Sequence, residues 1–206
     1  MSRPHDDKAQ SQHLQTLRPA PALSSLFAVL SECAYNRDES LASLADTLGL
    51  SRSTFKRFLS HLRVDGVIAG RLGNFTFNYS ALGTVSQTFS SAIISCEPDI
   101  RWLRRPPAPT RHRPYSDEEG LVRFLAMELP RREEYRNRVI VERALILIGD
   151  RERAIELTVH AASTTTMFSF ARHAVEVCDG LLGTRTLPIC YSVAGGSPAG
   201  AHRGSK

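Results

Sequence analysis

The chain has 206 residues, is 42% hydrophobic and 23% charged, and carries a net charge of +5. That length suits one domain or two small ones, the basic balance favours a polyanionic partner, and the longest apolar runs, around 23–30 and 144–149, fall far short of the ~20 residues a spanning helix needs. The polar start MSRPHDDKAQSQHLQ lacks the pattern of a secretory signal, and the widely spaced Cys33, Cys96, Cys178 and Cys190 read as buried thiols of a cytoplasmic protein.

Residues 1–22 are polar, with three prolines, and are expected to form a disordered arm. From Leu23, apolar residues recur at helical spacing (Leu26, Phe27, Leu30, Ala34), predicting a helix that ends near Tyr35. A second helix is expected over SLASLADTLGL, capped by Ser40 and closed at Gly49. A third follows over RSTFKRFLSHLRVDG, capped by Ser51 and ending at Gly66. Two strand-like runs then flank Gly73-Asn74, with Phe75 and Phe77 alternating against Thr76 and Asn78, which is a hairpin signature. Leu82, Val85, Phe89 and Ile93 keep an approximate helical spacing. Residues 98–115, rich in Pro and Arg, read as a linker. Beyond it, Ser116 to Glu119 fits a capping box, and helices are expected at about 132–148, 151–162 and 164–182. The last 16 residues, 191–206, read as a flexible tail.

Three helices and a hairpin between residues 24 and 79 make a winged helix-turn-helix pattern. Ala45 is the small residue needed where the second helix crosses the third, Gly49 allows positive φ in the turn, and Leu50 plugs the corner. Phe55, Leu59 and Leu62 anchor the third helix, with Phe58 beside them. Arg52, Ser53, Thr54, Lys56, Arg57, Ser60 and His61 are left off this stripe, and these residue types reach base edges and phosphates in a major groove. The segment ESLASLADTLGLSRSTFKRFLSHLRVDGVI resembles the DNA-binding domain of bacterial winged-helix regulators of the IclR, MarR and GntR type. Leu41, Leu44, Ala45, Leu48, Gly49, Leu50, Ser51, Ser53, Thr54, Arg57, Leu59, Leu62, Gly66 and Ile68 fall on the usual run, while Phe55 replaces the common Val. The resemblance covers about 55 of the 206 residues. It implies sequence-specific binding of double-stranded DNA, usually as a homodimer.

Charge supports the same placement. Residues 51–71 hold Arg52, Lys56, Arg57, Arg63 and Arg71 against Asp65 alone, whereas residues 116–206 hold 12 basic and 12 acidic residues. An excess confined to the reading end is what an electrostatic footprint on DNA requires, although a solvated basic face or a protein-binding winged helix would share the composition. Arg101, Arg104 and Arg105, with Arg111, Arg113 and Trp102, could follow the phosphate backbone or serve a plain tether.

No nucleotide-binding, zinc-protease or hydrolase motif is present, so no enzyme activity and no cofactor are expected. Asp150, His160 and His173 match no ligand spacing, and no metal site is expected. Ser163 to Thr166 reads as the cap of the last helix. That helix aligns Met167, Phe170, Ala171, Ala174, Val177, Cys178 and Leu181 along one face, of which Phe170, Val177 and Leu181 are the expected dimer interface. The expected fold is thus mainly α with a small β-hairpin wing. It divides into an arm (1–22), a winged helix-turn-helix domain (23–97), a linker (98–115), a small helical dimerisation or effector domain (116–190) and a tail (191–206). The function expected is a homodimeric transcriptional regulator, a repressor before an activator, with any small-molecule effector unknown. The rivals are a replication or partition accessory protein of a plasmid or phage, and a winged helix that contacts protein.

Overall fold

The computed structural model describes residues 23–71, 74–85, 89–104, 108, 114–149 and 153–189. The expectations for the arm, the tail, Arg105, Arg111, Arg113, Asp150 and Cys190 lie outside the described residues.

The N-terminal unit follows its apolar spacing. Helix α1 (Leu23–Tyr35) buries Leu26, Phe27, Val29 and Leu30. Helix α2 (Leu41–Thr47) starts where Ser40 Oγ accepts the Ser43 amide at 3.2 Å, and α3 (Arg52–Val64) starts where Ser51 Oγ accepts the Thr54 amide at 3.2 Å. Strands β1 (Ile68–Arg71) and β2 (Asn74–Phe77) pair antiparallel as the wing, with Ile68 opposite Phe77 and Arg71 opposite Asn74. A 3-10 turn (Tyr79–Ala81) and one helical turn, α4 (Leu82–Val85), leave the wing.

The remainder overturns the mainly α expectation. A nine-residue strand, β3 (Ser90–Pro98), occupies part of the segment read as helical, and is followed by α5 (Ile100–Arg104) and α6 (Glu118–Arg123). One π turn (Phe124–Glu128) and one 3-10 turn (Leu129–Arg131) extend α6. Strands β4 (Val139–Ile148) and β5 (Arg153–Ala161) stand where two helices were expected. Helix α7 (Thr164–Val177) is capped by Ser163 as expected but stops short of 182, giving way to β6 (Leu181–Pro188). The four long strands form one antiparallel sheet in the order β4-β5-β3-β6. Connecting β3 to β4 through α6, and β5 to β6 through α7, produces two interleaved β-α-β units, the split arrangement of ferredoxin-like folds.

Period explains the correction. In β5, Ile155, Leu157 and Val159 are buried while Ala154, Glu156 and Thr158 between them are half-buried, a repeat of two. The β4 segment VIVERALILI is nearly all apolar, so its spacing does not discriminate, and the β-branched Val139, Ile140, Val141, Ile146 and Ile148 favour a strand. The linker expectation also changes in part. Trp102 of α5 and Tyr115 are buried in the sheet's core, and the helix after them is capped by Asp117, whose Oδ1 accepts the Gly120 amide at 2.7 Å, rather than by Ser116.

Helices α6 and α7 cover one face of the sheet, where Phe124, Leu125, Met167 and Phe170 meet Ile94, Cys96, Leu157 and Val159. The N-terminal unit packs at one end of the sheet, where Ile140 of β4 joins the cluster of Phe27, Phe55 and Phe75. Tyr35 Oη accepts the Val141 amide at 2.9 Å across this junction, and Arg131 donates to the Tyr35 carbonyl at 3.0 Å. Among the described residues no helix is long and apolar enough to cross a membrane. Cys33, Cys96 and Cys178 are free and buried, and burial pushes each thiol up to about 12, so they stay protonated.

Candidate nucleic-acid interface

The turn between α2 and α3 is closed by its own backbone. The Leu50 amide donates to the Ala45 carbonyl at 2.9 Å, and the Gly49 amide to Asp46 at 3.0 Å. Gly49 has φ +64, a conformation costly for residues with a Cβ. Ala45 is fully buried at the crossing. Helix α3 is held by Phe55, Phe58, Leu59 and Leu62, all buried, and this packing turns its other side outward.

Arg52, Ser53, Lys56, Ser60 and His61 are exposed on that outward side. Among the described residues none of Arg52, Lys56 or His61 is ion-paired, so the Arg52 and Lys56 charges and the His61 ring face solvent. Thr54 and Arg57 sit differently. Thr54 Oγ1 lies 2.9 Å from Ser51 Oγ within the helix cap, and Ser53 Oγ lies 3.0 Å from the same oxygen. Arg57 is half-buried with its guanidinium carbon 5.9 Å from the Phe58 ring centroid, and its Nε is buried without a hydrogen-bond partner. Thr54 and Arg57 are thus partly committed to shaping the helix, while Ser53 touches the cap and stays exposed.

The wing stands beside α3. Arg71 is exposed at its end. Arg63, on the last turn of α3, donates from Nη2 to the Gly70 carbonyl at 3.2 Å and lies 5.7 Å from the Phe75 ring centroid. Gly70 has φ +89, and a Cβ there would meet the Asn74 carbonyl oxygen at 2.5 Å, so only glycine fits this turn without displacement. The sequence reading counted Arg63 only as charge, and its distance of seven residues from Gly70 gives no periodic signal of the bond.

Arg101 and Arg104 are exposed on α5, but the structure does not bring them to α3. Strand β3 begins near the wing junction and ends just before α5, and nine residues of strand span about 27 Å. The expected dimer residues are also placed elsewhere. Phe170 is fully buried and Leu181 nearly so in the chain's own core, with Val177 packed against it. His173 and His160 belong to separate networks: His173 Nδ1 lies 2.9 Å from Tyr135 Oη, while His160 bonds to Ser91 and Glu142.

No protein-family model matches the chain, and no curated protein matches it. Several solved structures do. A crystal structure of MtbAldR is 18% identical, with 87% of this chain and 100% of that chain covered, at a TM-score of 0.34. The leucine response regulatory protein LrpA of Mycobacterium tuberculosis is 19% identical over 85% of this chain and 96% of that one, at 0.30. LrpC of B. subtilis is 12% identical over 84% and 95%, also at 0.30. None of these three bears an IclR, MarR or GntR name, and TM-scores this low leave function to be argued from the chain's own residues.

Proposed function

We propose that the chain is a sequence-specific regulator of transcription that binds double-stranded DNA as a homodimer, reading the major groove with α3 and the backbone with the wing. The observation that carries this is the two-sidedness of α3. Four apolar residues fix one side to a closed helix-turn-helix, and Arg52, Lys56, Ser60 and His61 project from the other. Arginine and lysine are suited to the guanine edge and to phosphates, and serine contacts either. Arg71 on the wing extends the same basic surface. Repression by occupying a promoter needs nothing beyond this binding and is the simplest mode of action.

A dimer is proposed because one winged helix reads few base pairs, and two half-sites lie about 34 Å apart along the duplex. With Phe170 and Leu181 used internally, the surface that fits is the sheet face opposite the helices. There β4 contributes Leu145 (38% exposed) and Leu147 (42%), and β6 contributes Leu187 (50%). In the register these lie beside Ile93, Glu156 and Arg185 on the uncovered side. Exposed apolar residues gathered on one face favour burial against a partner.

Fragments selected from the source genome by the full chain, then tested by gel shift against scrambled duplexes, decide the DNA reading. Arg52→Ala is expected to cost ~1–3 kcal/mol on the selected site and little on the scrambled one. Equal affinity for both duplexes in the native chain removes sequence-specific reading. Sedimentation of Leu145→Lys with Leu187→Lys is expected to show monomer where the native chain shows dimer.

A further inference from the structure

The junction between the wing and the sheet contains a buried histidine that neither the helix-turn-helix nor the sheet's core requires. His160, on β5, is 1% exposed. Its Nε2 lies 2.8 Å from Glu142 Oε2 on β4, and its Nδ1 lies 2.8 Å from Ser91 Oγ on β3. Its ring stacks on Tyr79, centroids 4.5 Å apart and planes at 14°, and Tyr79 stacks on Phe77 of the wing at 5.7 Å and 8°. A column of three rings therefore runs from β2 into the sheet.

Chemistry assigns the protons. A carboxylate only accepts, so in the neutral ring Nε2 carries the hydrogen and donates to Glu142, while Nδ1 accepts from the Ser91 hydroxyl. We propose that His160 is a proton-controlled joint: neutral, it ties the wing to the sheet through Tyr79, and protonated, it releases the wing. Its regulatory meaning rests on the DNA-reading assignment above.

The groups around the ring decide the direction. Among the described residues Glu142 is the charged group bonded to the ring, and this carboxylate favours the imidazolium. The Glu142 side chain is 44% exposed, however, so water screens that attraction. Tyr79 and Tyr35 face the junction as neutral phenols, both pushed up by burial, and Cys33 of α1 stays protonated. The Arg37 guanidinium lies 5.1 Å from the Phe77 ring centroid, at the far end of the column from His160. Desolvation outweighs the Glu142 attraction and holds His160 below its ordinary 6.5. The sign follows. The neutral joint contributes fully above about pH 6.5 and its contribution is lost as pH falls through the lowered value. An imidazolium is better hydrated, and water has a route in. A cleft of about 610 Å³ borders the joint, lined by Tyr35, Arg37, Phe77, Tyr79, Ile140 and Glu142 among others.

Hydrogen exchange of the amides of residues 68–79 in the full chain, from pH 7.5 to 5 and corrected for intrinsic rates, tests the joint. Opening is expected to rise as pH falls from about 6.5 and to level off at the lowered value, by at most about tenfold per pH unit for one proton, and the His160 ring should titrate by NMR where the rise levels off. Glu142→Gln removes the carboxylate that favours the imidazolium, so it should move the ring midpoint and the levelling-off of the opening to lower pH while leaving exchange at pH 7.5 near native. His160→Gln should abolish the rise. Wing exchange that is flat with pH, or that rises identically in Glu142→Gln and His160→Gln, overturns the proposal. DNA affinity is read separately: a pH-dependent wing in a chain that binds no DNA at any pH defeats the regulator reading and leaves the joint standing.

Discussion

At Phe170, the amphipathic pattern and the structure assign one side chain opposite duties. The apolar face of 164–182 was expected to meet a second copy, yet Phe170 is fully buried within a single chain, edge-on to Tyr135 at 5.2 Å. Periodicity reports that a face is apolar and is silent on what covers it. The consequence is measurable. Phe170→Ala is expected to lower unfolding stability by ~3–5 kcal/mol, the range for emptying an aromatic site in a core. Urea titration of the variant, with sedimentation of whatever remains folded, separates the two duties. A dimer-to-monomer shift without loss of stability would restore Phe170 to an interface. His160 shows the same limit of sequence reading, since its partners Ser91, Glu142 and Tyr79 are 69, 18 and 81 positions away. The strand pairing brings Ser91 and Glu142 to it, and the packing of the N-terminal unit on the sheet brings Tyr79.

At the level of elements, what was legible was local. Helices α1 to α3 and the wing carry their signals within a few residues: a serine cap, a glycine stop, a repeat of three and four, or an alternating pair of phenylalanines. Ser51 is such a signal, and Ser51→Ala is expected to cost ~0.5–2 kcal/mol by leaving the Thr54 amide without its side-chain acceptor. Thermal denaturation checks this, and an unchanged transition would mean water replaces the cap at no cost. Strands β3 to β6 were missed because their signals are weaker or non-local. In β3, Ala92, Ile94 and Cys96 alternate with Ile93, Ser95 and Glu97, so an apolar residue on the open side blurs the repeat of two. The β4 run is apolar on both sides, and its register shifts between Val141 and Arg143, which further disturbs the count.

At the level of the whole molecule, the separation between α3 and α5 sorts the arginines into groups with different expected roles. Arg101 and Arg104 lie at the sheet end remote from the wing. Neutralising both is expected to leave the slope of log affinity against log salt unchanged for one binding site. Lys56→Gln should lower that slope by ~0.9, the value for one phosphate contact to duplex DNA. Binding isotherms over a range of salt concentrations measure both. A flattened slope in the Arg101 and Arg104 variant would mean that the DNA bends or extends to reach the far end. The fold is mixed rather than mainly α for a related reason: the segment after the wing builds a sheet with two helices on one face and, on the other, the N-terminal unit packed at one end over Ile140 and His160.

Strand β3 has a further consequence, for the order in which the chain can be assembled. It is central in the sheet, with β5 on one side and β6 on the other, although it comes first of the four in sequence. As a ribosome releases the chain, β3 emerges with both edges unpaired, and it waits for residues 153–161 on one side and 181–188 on the other. Its Ala92, Ile94 and Cys96 are uncovered for that interval, together with rows of free amides and carbonyls. Such long-range pairing slows folding. A chain stopped before residue 153 therefore retains a reading helix that can form locally, joined to a strand that seeks the edge of another molecule. The two units are separable on paper at residue 98, but the strand that ends there belongs to the sheet.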